Sequence, residues 1–148
     1  MNRLNNGTRR QILHSLLEGM SQRSCQRVFG VSNKTVAKLL AQAGDMAIAH
    51  MANLTGLNVR RIQADEIWSF VAAKSKNVNY MENAVVGAGT VWAYLAMCAD
   101  TKLIFAYQLG DRRVYDATTF MRSVADKLAR NEHGELAVRP SVTTDGLP

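Results

Sequence analysis

The stretch Arg61-Ile-Gln-Ala-Asp-Glu-Ile-Trp-Ser-Phe-Val71 decides how the second half of this 148-residue chain folds. It is rich in β-branched and aromatic residues, and this composition predicts a β-strand. Asp65 lies in the middle of the strand, at a position that we expect to be buried in a sheet. An unpaired carboxylate there would cost several kcal/mol, so Asp65 would need a compensating partner such as a cation. Side chains alternate along a strand, so its neighbour Glu66 is expected on the opposite face.

The residues that follow this strand predict an α/β fold. Hydrophobic periodicity indicates strands at 90–97 and 103–109, a helix at 115–130 and a short fourth strand at 138–144. The second and third strands form a hairpin, and the helix returns the chain so that the fourth strand lies parallel to the first. Asp145 comes directly after this strand, at the carboxyl end where open α/β sheets bind ligands.

Adjacent first and fourth strands would bring Asp65 and Asp145 together. Two close carboxylates repel each other unless a cation lies between them, and hard oxygen ligands favour Mg²⁺ or Mn²⁺. The alternatives are a salt bridge from Asp65 to an arginine such as Arg61 and an ordinary Asp-Gly turn at Asp145. The pair therefore predicts a candidate metal site, with these two structural interpretations left open.

Residues 1–44 are predicted to form a helix-turn-helix domain of three short helices. Each helix is expected to begin at a hydroxyl N-cap, namely Thr8, Ser21 and Ser32. Each is expected to end before a glycine, namely Gly19, Gly30 and Gly44. Residues 45–60 then form a partly helical linker, and residues 61–148 form the second domain.

The positive charge is concentrated in the N-terminal part of the chain. The formal net charge is +6, of which residues 1–61 contribute +7 and residues 62–148 contribute −1. Such an excess favours binding to a polyanion. On the third helix the outward residues that would meet base edges and phosphates are Asn33, Lys34, Thr35, Lys38 and Gln42. Phosphate contacts are expected from Arg9, Arg10, Arg23 and Arg27. The alternative is a solubilising basic surface on a small three-helix core.

Composition excludes several other classes of protein. Hydrophobic residues make up 47% and charged residues 20%, which is typical of a globular rather than a disordered chain. No apolar run approaches the ~20 residues of a transmembrane helix, and the polar N-terminus lacks the core of a signal peptide. Cys25 and Cys98 are the only cysteines, too few for a disulfide framework or a cysteine zinc cluster. We therefore expect a cytoplasmic protein without a membrane partner.

Three stretches behind the helix-turn-helix pattern resemble a known family: Arg61-Ile-Gln-Ala-Asp-Glu-Ile-Trp-Ser-Phe, Asp100-Thr-Lys-Leu-Ile and Thr143-Thr-Asp-Gly. The chain resembles an insertion-sequence transposase of the DDE class, in the insertion sequence one family. This resemblance implies an RNase H-like catalytic domain that uses two Mg²⁺ or Mn²⁺ ions, with Asp65 and Asp145 as its first two catalytic and metal-binding acids. It also implies double-stranded DNA partners, namely terminal inverted repeats and target DNA, and a homo-oligomer in the active complex.

Two departures from the family pattern bear on activity. The family's third acid, a glutamate on a helix beyond the fourth strand, has no counterpart here. Leu147-Pro148 stand where a histidine usually follows the Thr-Thr-Asp-Gly motif. We therefore expect an incomplete RNase H-like domain, truncated after its fourth strand, and a transposase that is impaired or inactive. A helix-turn-helix transcriptional regulator and a transposition inhibitor that occupies transposon ends are the alternative functions.

Overall fold

The computed structural model describes residues 4–145 and divides the chain into two compact units, Met1–Asn53 and Leu54–Pro148. Gly146 of the predicted Asp-Gly turn and the Leu147-Pro148 departure lie outside the described residues. No helix within 4–145 is long and apolar enough to cross a membrane.

The described part of the first unit consists of three α-helices. Their bounds are α1 Asn6–Leu17, α2 Gln22–Phe29 and α3 Asn33–Ala52. Their shared core is formed by the buried side chains of Ile12, Cys25, Val36 and Leu39. Cys25 is fully buried in this core, whereas the apolar side chains of Leu17, Val28 and Leu40 on the same three helices are exposed.

The predicted N-caps of α2 and α3 and the predicted end of α2 are confirmed, whereas the predicted N-cap of α1 is not. Ser21 and Ser32 are N-caps, and each hydroxyl oxygen accepts a backbone N–H at 3.1 Å, from Ser24 and Thr35 respectively. Gly30 follows α2 with φ at +63°, a left-handed conformation that glycine adopts without steric cost. Thr8, the predicted N-cap of α1, is wrong, because the helix begins about one turn earlier. Its cap is Asn5, whose side chain accepts the Thr8 N–H at 2.8 Å.

Helix α3 does not end at Gly44, as the sequence predicted, but continues to Ala52. A glycine inside a helix costs about 1 kcal/mol relative to alanine, which weakens a helix without breaking it. The alanines around Gly44 are the best helix formers and offset this cost. The first eight residues of the segment predicted as a linker are therefore helical and belong to the first unit.

The second unit is a mixed α/β fold around a four-stranded sheet, which confirms the predicted α/β class. Its elements are β1 Arg61–Val71, α4 Ser75–Val78, β2 Gly89–Cys98, β3 Ile104–Gly110, α5 Val114–Lys127 and β4 Ser141–Thr143. The strand order is β3-β2-β1-β4. Strands β1, β2 and β3 are antiparallel neighbours, whereas β4 pairs with β1 in parallel. The predicted hairpin and the predicted parallel last strand are both confirmed.

The two faces of this sheet have different environments. Helix α5 packs on one face, where Phe105, Phe120 and Val124 are almost fully buried. The opposite face leaves large apolar side chains in solvent, with Ile67 53% and Leu109 62% exposed. Alternation along the strands therefore decides which residues join the core and which remain accessible.

Two substitutions on β3 test this difference between the faces. Phe105→Ala removes a fully buried ring, and we expect it to lower the free energy of unfolding by about 3–5 kcal/mol. Leu109→Ala removes an exposed side chain of the same strand, and we expect a change within about 0.5 kcal/mol. Urea denaturation followed by circular dichroism measures both values. Equal losses would contradict the assignment of the covered face.

Candidate functional site

The parallel pairing of β4 with β1 brings two distant aspartates together. The register pairs Arg61 with Ser141 and Gln63 with Thr143, and β4 ends there. Asp145, two residues further along, therefore comes beside Asp65, two residues further along β1. The carboxyl end of the fourth strand thus lies next to Asp65, as the sequence predicted.

A third carboxylate joins this pair. One carboxylate oxygen each from Asp65, Glu66 and Asp145 lies within 4.8 Å of the others, a set that we call the acidic cluster. Glu66 lies on the face opposite Asp65, as predicted, but that face is the one covered by α5, and its membership of the cluster was not predicted. Among residues 4–145, β4 pairs with β1 only at Arg61–Gln63, and the long Glu66 side chain reaches the two aspartates beyond that pairing. Its position beside Asp65, where the partner strand ends, is the signal that could have found it.

The prediction that Asp65 is buried is wrong. Asp65 is exposed because it lies on the face opposite α5, so its charge keeps its hydration and needs no buried partner. Its Oδ1 accepts the backbone N–H of Glu66 at 2.8 Å. The alternative salt bridge to Arg61 is also absent, because that guanidinium donates to Asp100 instead. This hydrogen bond from Arg61 holds the pKa of the Asp100 carboxyl below its usual value.

Glu66 has a different environment from its neighbour. Its side chain is only 4% exposed, and its Oε1 accepts a hydrogen bond from Nε of Arg112 at 3.1 Å. The guanidinium carbon of Arg112 lies 5.0 Å from the centroid of the Trp92 ring, which is a cation–π distance. The buried carboxylate is therefore paired with a cation that is itself held against an aromatic face.

Tyr94 connects this pair to the loop that supplies Arg112. It lies directly opposite Glu66 in the β1–β2 register, and its hydroxyl donates to the backbone carbonyl of Asp111 at 2.7 Å. Burial raises the pKa of the Tyr94 hydroxyl, and the charges of Asp116 and Glu66 raise it further. Tyr94 therefore remains a neutral donor at neutral pH and fixes the backbone beside Arg112.

The acidic cluster borders a shallow pocket of about 440 Å³ on the open face of the sheet. The pocket is lined by Gln63, Ala64, Asp65, Ile67, Leu95, Met97, Ile104, Thr143, Thr144 and Asp145. Its floor is apolar and its rim is acidic and hydroxyl-bearing. A cation or a polar ligand can therefore approach Asp65 and Asp145 from solvent.

The predicted DNA-contacting residues lie in the first unit, mostly on its surface. Seven of them are exposed, namely Arg10, Arg23, Arg27, Asn33, Lys34, Lys38 and Gln42, while Arg9 and Thr35 are half-buried. Arg9 Nη2 donates to Gln42 Oε1 at 3.2 Å, and this bond joins α1 to α3. The Thr35 hydroxyl lies 2.9 Å from the Ser32 hydroxyl and is part of the cap of α3. The lysines and the remaining arginines therefore form most of the accessible basic surface.

No protein-family model matches this chain, and no curated protein sequence matches it. The two features that bear on its chemistry are the acidic cluster of the second unit and the basic surface of the first. Each feature is built from residues whose positions follow from the strand register or from the helix caps.

Two neighbouring arginines test the environment of Glu66. Arg112→Ala leaves a nearly buried carboxylate without its cation, and we expect the free energy of unfolding to fall by about 1–3 kcal/mol. Arg113→Ala is the matched control, because its partner Asp111 is 52% exposed and surface ion pairs contribute little. Urea denaturation at pH 7 measures both. A loss for Arg112→Ala no larger than that of the control would refute the burial of Glu66.

Proposed function

We propose that this protein is a metal-dependent DNA transposase of the DDE type, which cleaves a DNA strand and transfers the freed end. The observation that carries the proposal is the meeting of Asp65, inside β1, with Asp145, just beyond the end of the parallel neighbour β4, with carboxylate oxygens within 4.8 Å. These are the two acids to which the sequence resemblance gives catalytic roles. The resemblance and the strand register thus support the same pair from independent starting points.

The chemistry of the donor set fits a hard divalent cation. Mg²⁺ and Mn²⁺ prefer carboxylate oxygens, and Mg²⁺ binds them at about 2.0–2.1 Å in octahedral geometry. Ligand oxygens around one such ion lie about 3–4 Å apart, so small rotations of the exposed Asp65 and Asp145 side chains would close the set. A bound cation would also relieve the repulsion between these carboxylates.

The chain's own residues would position the reaction. A bound metal supplies Lewis-acid polarisation of a phosphoryl oxygen and activation of the attacking oxygen. Asp65 and Asp145 would hold it at the rim of the open pocket, where a DNA phosphate can approach from solvent. Thr143 lines the same rim and offers a hydroxyl group to a phosphate or a sugar.

The proposal also includes the finer features of the fold and the partners. The sheet order with a parallel β4 after α5 supports an RNase H-like domain. Helix α2, the turn 30–32 and α3 support a helix-turn-helix that binds duplex DNA, with the N-terminal turn of α3 at the base edges. We further propose terminal inverted repeats and target DNA as ligands, a homo-oligomer as the active complex and the cytoplasm as the location.

Metal binding by the full chain tests the acidic cluster. Asp65→Asn and Asp145→Asn each remove one charged ligand, and we expect each to weaken Mn²⁺ binding at least tenfold, measured from the electron paramagnetic resonance signal of free Mn²⁺. Asp100→Asn is the matched control, because Asp100 is paired with Arg61 outside the cluster, and it should leave the affinity unchanged. Binding that is insensitive to both cluster substitutions would exclude this site.

DNA binding tests the role of the first unit. Lys34→Gln and Lys38→Gln should each weaken binding to a random-sequence duplex and lower the slope of log K against log salt by about 1. Lys102→Gln, in the second unit, is the control and should change neither quantity. Fluorescence anisotropy between 50 and 200 mM salt measures both, and an unchanged slope for the two α3 variants would exclude this surface as the phosphate contact.

A DNA-binding regulator or transposition inhibitor is the second candidate function. The observation that favours it is that the basic surface lies in a separate compact unit that contains none of the three acids. Incubation of the full chain with Mg²⁺ or Mn²⁺ and duplex DNA separates the candidates. Strand cleavage or joining that requires Asp65 favours the transposase, whereas binding without cleavage favours the regulator or inhibitor.

A further inference from the structure

We propose that Arg112 is a tethered counter-ion that competes with the divalent cation for Glu66 and so sets the metal affinity of the acidic cluster. This inference rests on the proposed metal-binding function and adds a positioning residue to it. Nothing in the sequence pattern pointed to Arg112, which lies 46 residues from Glu66 in the chain.

The first step of the argument is the charge of the cluster. Asp65, Glu66 and Asp145 bring three formal negative charges within 4.8 Å. Arg112 cancels one of them through its hydrogen bond to Glu66 at 3.1 Å. A cation approaching the cluster therefore meets a reduced negative charge and a third carboxylate that is already engaged.

The second step is the way in which Arg112 is held. Its guanidinium lies 5.0 Å from the Trp92 ring centroid, and the adjoining backbone is fixed by the Tyr94 hydroxyl, which donates to the Asp111 carbonyl at 2.7 Å. Gly110 lies just before this loop, and the Asp116 side chain occupies the space that a Cβ at this position would need, 2.5 Å from its Oδ1. Arg112 is thus a pre-positioned cation, whereas the neighbouring Arg113 pairs with an exposed carboxylate.

The third step is the difference in accessibility between the three acids. Asp65 and Asp145 are exposed on the pocket side, whereas the Glu66 side chain is 4% exposed. An arriving cation can coordinate the two aspartates directly, but it gains Glu66 only if the carboxylate leaves Arg112. The ion pair therefore withholds the third ligand.

A double-mutant cycle on the full chain tests this inference, with the dissociation constant for Mn²⁺ as the readout. Arg112→Gln should tighten Mn²⁺ binding on the order of tenfold, because a positive charge is removed and a third carboxylate is released. Glu66→Gln should weaken it, because Arg112 then remains as an uncompensated cation beside the metal. The double variant should return close to the wild-type value, and Arg112→Lys, which keeps the charge, should resemble the wild type.

The outcomes separate this inference from the function on which it rests. Tighter binding by Arg112→Gln, with Asp65→Asn still weakening it, supports the competition. If the wild type binds Mn²⁺ and Arg112→Gln leaves the affinity unchanged or lowers it, the competition is overturned, but the metal site itself is retained. No Mn²⁺ binding by the wild type or any variant overturns both. If Arg112→Gln fails to fold, the comparison of Glu66→Gln with the double variant decides, and equal affinities in these two would refute a role for the Arg112 charge.

Discussion

The parallel pairing of β4 with β1 is the contact on which the candidate site depends. Within residues 4–145 it involves three residue pairs, extended by the backbone N–H of Ser141, which donates to the carbonyl of Arg60 at 2.9 Å. Without it, Asp145 would have no defined position relative to Asp65, because about eighty residues separate them along the chain. The pairing is parallel because α5 returns the chain along the sheet before β4 begins, and a direct hairpin could not produce it.

The site also depends on the unequal covering of the two sheet faces. Alternation gives Ile62 and Ala64 to the core under α5 and gives Gln63 and Asp65 to solvent. Asp65 is therefore exposed at the pocket rim, whereas the side chain of Glu66, one residue later, is nearly buried and paired with Arg112. Asp65 and Glu66 are adjacent in sequence but lie on opposite faces of the sheet, and only the Glu66 face is reached by Arg112 from the loop after β3.

Much of this arrangement could be predicted from the sequence. Residues 61–71 have strong β propensity, and the change from a strand period to a helix period before the last strand implies its parallel return. Capping chemistry that is local in sequence identifies the start of α2 at Ser21 and the turn between α2 and α3 at Gly30 and Ser32. The errors arose where tertiary context decided the outcome. Gly44 resembles a helix end in sequence, but its alanine neighbours sustain α3, and the strand pattern alone does not show that the sheet face bearing Asp65 is left uncovered.

The Glu66–Arg112 pair could not be predicted from spacing, because it depends on how the loop after β3 is folded back onto the sheet. Two separate contacts place Arg112: its own approach to the ring of Trp92, and the hydrogen bond from the Tyr94 hydroxyl to the Asp111 carbonyl. Only the glutamate of this pair is nearly buried, since Arg112 is 48% exposed, and the desolvation of the Glu66 carboxylate offsets much of its Coulomb attraction to the arginine. The contribution of the pair to folding stability is therefore a weak explanation for a glutamate at position 66. Control over the charge of an adjacent carboxylate pair gives a stronger one, because an arginine fixed within 3.1 Å of Glu66 modulates the field at Asp65 and Asp145 without occupying the pocket.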